Sequence, residues 1–136
     1  YTAALDSAGI QPDQALIRHD AFCVEAGRRH GRALLSLDPR PTAIIAGNDE
    51  IAIGVLDAAR ELGIAVPEQL SVTGFDDTPQ AEWTTPRLTS VRQPLMGMGR
   101  MAVETVIGMA DGVQPASRHL ELATTLSVRG STGPAR

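Results

Sequence analysis

Four short runs rich in aliphatic and β-branched residues, at 15–18, 42–46, 70–75 and 88–91, each stop abruptly at polar residues or a turn, and three of them hand over to stretches whose apolar residues recur with helical spacing. That alternation leaves few folds open, because strands separated by helices pack as βαβ units around a parallel sheet. The first helical stripe is Phe22, Ala26, Ala33, Leu34 and Leu37, stopped by Asp38-Pro39-Arg40-Pro41. The second is Ala52, Val55, Leu56, Ala59 and Leu62, closed by Gly63. The third is Leu95, Gly99, Ala102, Val106 and Met109, ended by Asp111-Gly112. The run Thr42–Ala46 is apolar throughout, as expected of a strand covered on both faces. Leu120, Leu122, Thr124, Leu126 and Val128 alternate with their neighbours and predict a half-buried strand. Residues 78–87, with two prolines and little periodicity, are expected to form a loop, and the tail 131–136 to fray. The fold predicted is a doubly wound parallel sheet flanked by helices. Tyr1, Ala4, Leu5 and Ala8 share one face of a helix ending at Gly9, yet neither a cap nor a strand comes before them, so the chain is expected to continue something longer.

Composition narrows the possible functions. A chain of 136 residues, 43% hydrophobic and 21% charged, has the make-up of an ordinary globular domain. Twelve Lys and Arg against sixteen Asp and Glu leave a formal charge of −4, the wrong sign for a surface that grips phosphates. Cys23 stands alone, so no internal disulfide is expected and a cytoplasmic setting is the natural one. His19, His30 and His119 are too scattered for a metal set, and neither a nucleophile elbow nor a phosphate-cradling loop occurs. Neither an enzyme nor a cofactor is expected. The basic run Arg28, Arg29, His30 and Arg32 reads as a solvated helix face.

In sheets of this kind small ligands bind beyond the carboxyl ends of the strands. Three sets of polar or aromatic residues sit there: Asp20 with Phe22, then Asn48-Asp49-Glu50, then Asp76-Asp77. An amide offers both a donor and an acceptor, a carboxylate accepts from two neighbouring hydroxyls, and an aromatic ring stacks on the apolar face of a sugar. Each residue taken singly has a plainer reading. Asn48 or Asp49 can cap the following helix, Phe22 can belong to the core, and Asp76-Asp77 can be turn chemistry. Only their joint placement favours a site.

The order of motifs resembles the effector-binding domain of the lactose/galactose repressor family of bacterial transcription regulators. The residues that carry the resemblance are Pro41-Thr42-Ala43-Ile44 leading to Asn48-Asp49, Ala52 and Gly54; Val66-Pro67-Glu68 leading to Ser71-Val72-Thr73-Gly74-Phe75-Asp76-Asp77; Pro86-Arg87-Leu88-Thr89-Ser90-Val91-Arg92-Gln93 followed by Gly99; and the closing Leu126-Ser127-Val128-Arg129-Gly130-Ser131-Thr132. The resemblance implies a fold like that of the periplasmic sugar-binding proteins, with two subdomains closing on a small effector. Residues 1–91 would form the C-terminal subdomain, 92–115 a crossover and a helix of the other subdomain, and 116–130 the return strand. The helix at 95–109 would then expose apolar surface. Position by position, Phe22 matches the aromatic residue that stacks on the effector, Asn48 the amide that bonds it, Asp76 the carboxylate and Gln93 a pocket residue on the crossover. Glu50 matches a rim position. The family's effector-contacting Arg would precede Tyr1. Departures inside the matched segments are Arg87, where a second Pro is usual, and Arg28, where an aromatic residue often stands.

The resemblance also implies a homodimer, with Ile53, Leu56 and Trp83 as candidate contacts, and DNA reading by a helix-turn-helix outside these residues. The competing reading is a sugar-binding protein of a periplasmic transport system.

Overall fold

A computed structural model describes residues 1–115, 117 and 119–134. The element order is α1 (Thr2–Ser7), a 3-10 turn (Gln14–Leu16), α2 (Val24–Leu35), β1 (Ala43–Ile45), α3 (Asp49–Glu61), β2 (Ser71–Asp76), a 3-10 turn (Pro79–Glu82), β3 (Thr89–Arg92), α4 (Leu95–Ala110) and β4 (Thr125–Ser127). The strands form one sheet in the order β1-β2-β3-β4. The first three are parallel, with Ile44 beside Val72 and Gly74 beside Ser90. Strand β4 runs antiparallel to β3, Leu126 lying beside Val91, so the sheet is mixed where all-parallel was expected. The alternating pattern at 120–128 correctly announces a strand, but only its last part pairs. Pattern alone carries no strand direction.

Helix α3 forms for reasons that lie in its ends. Asn48 is extended and its side chain accepts from the Ile51 amide, Asp49 and Glu50 lie at the positive end of the helix dipole, and Arg60 lies at the negative end. Gly63, at φ +68°, then lets the amides of Gly63 and Ile64 reach back to the carbonyls of Arg60 and Ala59. The two helices α2 and α3 cross at glycine. A β-carbon at Gly27 would stand 2.1 Å from the Ile51 carbonyl oxygen, and one at Gly54 the same distance from that of Val24. Leu34, Leu35, Val55, Leu56 and Ala59 then close over Ile44, Leu70, Val72 and Leu88 as the core.

The opposite face is only partly covered among the described residues, Thr89 being buried there and Thr73 and Val91 half-buried. Ile45 is 70% exposed and Phe75 37%, so the expectation of a first strand buried on both sides fails. The segment 15–18, read as a strand, instead begins with a 3-10 turn, because the Asp13 side chain caps it by accepting from the Ala15 amide at 2.8 Å. No residue of α4 is buried among the described residues. The frayed tail is also corrected for 131–134. Ser131 is fully buried, its hydroxyl donating to the Val72 carbonyl at 2.6 Å and accepting from the Thr89 amide at 2.8 Å. Positions 135 and 136, like 116 and 118 in the return segment, lie outside the described residues.

Candidate functional site

The carboxyl ends of β1, β2 and β3 present Asn48, Asp76 and Gln93 in turn. Asp76 and Gln93 are joined directly, the Gln93 amide donating to Asp76 Oδ1 at 2.6 Å. Asp76 has φ 105° and Asp77 φ 55°, backbone that L side chains adopt only at a cost of about 1–3 kcal/mol each. Two buried carboxylates hold this strained corner. Asp49, 1% exposed, accepts from the Thr78 amide at 2.6 Å, from the Thr78 hydroxyl at 3.0 Å and from the Ser90 hydroxyl at 2.5 Å. Ser90 in turn accepts from the Asp77 amide at 3.1 Å. Gly74 makes this possible, since a β-carbon there would lie 2.3 Å from Asp49 Oδ1.

The second carboxylate is Asp77, whose side chain is 1% exposed. It accepts from Arg129 Nη1 at 2.6 Å, Arg92 Nε at 2.6 Å and the Ser127 hydroxyl at 2.8 Å. Burial pushes its carboxyl up, and the hydrogen bonds from Arg129, Arg92 and Ser127, with the Arg129 charge, outweigh that and bring it down to about 2. Asp77, expected with Asp76 at the ligand rim or as turn chemistry, instead faces Arg129, a residue the site expectation does not include. The available signal was a basic residue just beyond the last strand, opposite two acids at the end of an earlier one.

Asn48 caps α3, and the cap leaves its amide free. Its oxygen accepts from the Ile51 amide at 2.9 Å, as a cap, and its amide nitrogen makes no hydrogen bond among the described residues. Phe22 is 68% exposed and is not a core residue. Its ring edge would lie 3.3 Å from a β-carbon at Gly47, which places it over the turn before Asn48. Glu50 is exposed and makes no side-chain hydrogen bond among the described residues, so nothing joins it to the Asp76–Gln93 pair. Asp20 is not a free acceptor. The Ala21 amide, then Arg29 and His30, donate to its carboxylate and hold it far below the usual carboxylate range. Arg28 and Arg32 pair with Glu61 across to α3. The basic run is therefore a set of solvent-screened ties between elements rather than a free face.

A cavity of about 380 Å³ lies between β1, α2 and the N-terminal segment, lined by Leu16, Arg18, Asp20, Phe22, His30 and Ile45 among others. Of the strand-end residues only Asp20 and Phe22 line it, and of those that the resemblance matches to the effector only Phe22 does. The expected dimer residues also separate. Leu56 is 8% exposed and belongs to the core, where it fills the space between α3 and the sheet, so its reading as a contact residue is corrected. Ile53 is half-buried, and Trp83, just past the second 3-10 turn, is 74% exposed. Among the described residues no cluster of His, Cys, Asp and Glu is arranged to hold a metal, and no helix is long and apolar enough to cross a membrane.

Comparison with known proteins bears on the fold and the family. Residues 1–132 match the family described as periplasmic binding protein-like domain. The HTH-type transcriptional regulator MalR of Streptomyces coelicolor is 37% identical over 123 residues, covering 90% of this chain and 35% of MalR. A regulatory protein of the LacI family from Chloroflexus aggregans superposes with a TM-score of 0.90 at 36% identity, covering 98% of this chain and 48% of that one. The transcriptional regulator CelR in complex with cellobiose gives a TM-score of 0.89 at 34% identity, covering 96% of this chain and 40% of CelR. The chain thus spans less than half the length of each of these relatives. It belongs to the periplasmic binding protein-like domain family, in the form found in the lactose/galactose repressor group of transcription regulators.

Proposed function

We propose that this chain is the effector-sensing part of a bacterial transcription regulator and that its ligand is a sugar or a similar small polyol. The observation that carries the reading is the Asp76–Gln93 pair. Gln93 occupies one oxygen of the carboxylate, and the other accepts no hydrogen bond among the described residues. An acceptor fixed on strained backbone at a strand end, with a free amide at Asn48 and an open ring at Phe22, suits adjacent hydroxyls on a ring with an apolar face. The cellobiose complex of CelR supports the ligand class, and the regulators among the relatives favour sensing over transport.

Gln93 lies where the chain leaves β3 for α4, so a ligand held by Asp76 and Gln93 sits at the joint between subdomains. Closure on the ligand alters the angle of that joint, and this biases DNA binding only if the two angles differ in ligand affinity. The protein acts as a cytoplasmic homodimer that reads operator DNA through a separate helix-turn-helix. Trp83 and Ile53 remain as its contact candidates on this chain. No catalytic step is assigned to it.

Calorimetry of the intact protein against a panel of saccharides, nucleosides and polyols, including cellobiose and sucrose, tests the reading. One member should bind, and Asp76→Ala should weaken it about 10- to 100-fold, the range for losing a hydrogen bond to a charged group. No binding across the panel, or undiminished binding by Asp76→Ala, overturns it.

A further inference from the structure

Asp77 is next to the ligand-facing carboxylate but does not face the ligand. Its side chain is buried, and its three donors come from the two strands that join this unit to the rest of the protein: Arg92 at the exit of β3, Ser127 in β4 and Arg129 just beyond it. Asp76 is registered beside Arg92, so the Asp77–Arg92 ion pair and the Asp76–Gln93 hydrogen bond are neighbouring rungs across the same two strand ends. The Arg129 guanidinium is further fixed by the Leu88 carbonyl at 2.8 Å and by Glu82 at 3.2 Å. On the other side of the corner, Asp49 holds Thr78 and Ser90.

From this arrangement we propose that Asp77 is a positioning residue that latches both inter-subdomain strands to the ligand-binding corner, so that Asp76 and Gln93 move as one body with the joint. The proposal rests on the sensing reading for its ligand and on contacts within this chain for its mechanics. Because one carboxylate bridges the outgoing and the returning strand, a change in their relative position is felt at once by the backbone of Asp76. A plain stabilising role would lower stability without linking the two rungs.

The test uses the intact protein with three variants: Asp77→Asn, Gln93→Ala and the double variant. Ser131→Ala is the control, since it breaks a buried hydrogen-bonded group on the same strands away from the corner. Hydrogen exchange is followed in segments 74–79 and 91–95, and calorimetry uses cellobiose and sucrose as probes. In Asp77→Asn both segments should exchange at least tenfold faster while α3 keeps its protection, and probe affinity should fall about tenfold or more. The affinity losses of Asp77→Asn and Gln93→Ala should overlap in the double variant instead of multiplying, because both break one unit. Ser131→Ala should lower the melting temperature and keep probe affinity. Exchange unchanged at 91–95, multiplying affinity losses, or an equal affinity loss in Ser131→Ala would each overturn the latch. If the wild-type protein binds neither probe, that result counts against the sugar reading, and hydrogen exchange alone decides the latch.

Discussion

Gly27 and Gly54 meet where α2 crosses α3, so closely that a β-carbon on Gly54 would stand 2.9 Å from the Gly27 carbonyl carbon and 2.1 Å from the Val24 carbonyl oxygen. Backbone has replaced side chain at this crossing, and no rotamer change can make room. Gly54→Ala should cost about 3 kcal/mol or more, the upper end of overpacking losses, because the helices themselves must separate. Chemical denaturation of the variant checks this; a loss under about 1 kcal/mol would mean that the helices part easily.

The two roles of Asn48 can be separated by substitution. Asp caps a helix as well as Asn does but has no amide to donate, whereas Ala removes both functions. Asn48→Ala should therefore lose about 1 kcal/mol of stability and also ligand affinity. Asn48→Asp should keep stability and lose affinity. Thermal melts and calorimetry on the same pair of variants distinguish the two effects.

The depressed acidity of Asp77 makes stability fall in acid. Its folded-state carboxyl lies at about 2, against 3.8 for an ordinary aspartate, so it contributes stability that is fully present above pH 3.8 and disappears as the pH falls through about 2. The contribution is about 2 kcal/mol. Denaturant titrations from pH 5 to pH 2 should show a shallower acid slope in Asp77→Asn than in the unsubstituted chain. Equal slopes would place the acid sensitivity elsewhere, for instance in the exposed carboxylates of Asp20, lowered first by the Ala21 amide and then by Arg29 and His30, and of Glu61, lowered by Arg32 and Arg28.

Helix α4 carries its apolar residues into solvent. Val103 is 59% exposed and Ile107 57%, one turn apart on the same side. The 136-residue chain alone should bind a hydrophobic dye and scatter light increasingly with concentration. Val103→Lys with Ile107→Lys should reduce both signals and leave the melting temperature unchanged, since neither side chain belongs to the core. A drop in melting temperature would show that α4 packs on the chain in solution.

Periodicity made α2, α3 and α4 legible, and the polar stops after Ala46 and Phe75 marked where a ligand could be met. These features are local, so a reading of neighbours suffices. The segment 15–18 misled because its aliphatic residues satisfy a strand pattern while Asp13, just before it, supplies a cap. Apolar content at Ile45 likewise promised burial, but α2 and α3 pack on the face that carries Ile44 and leave Ile45 exposed. Asp76 was legible as an acid at a strand end and Gln93 through the resemblance alone; their hydrogen bond joins the end of β2 to the residue just past β3. What holds them was not legible. Asp77 depends on Arg129, 52 positions later, and on an antiparallel strand whose direction leaves no mark in hydrophobic alternation. Helical spacing places Leu56 on the apolar stripe of α3, where it packs; its place among the dimer contacts comes from the resemblance alone.

That late partner has a kinetic meaning. The corner at Asp76 cannot be finished when β1, β2 and β3 first come together, because Ser127 and Arg129 have yet to return across the long excursion through α4. Closing so wide a loop is an entropic step that local contacts cannot hasten. During synthesis the sheet can begin to form as soon as its parallel strands have emerged, but a chain interrupted before its last strand would keep its helices and never acquire a rigid binding corner. The competence to bind a ligand thus arrives last, with the arginine that closes the network.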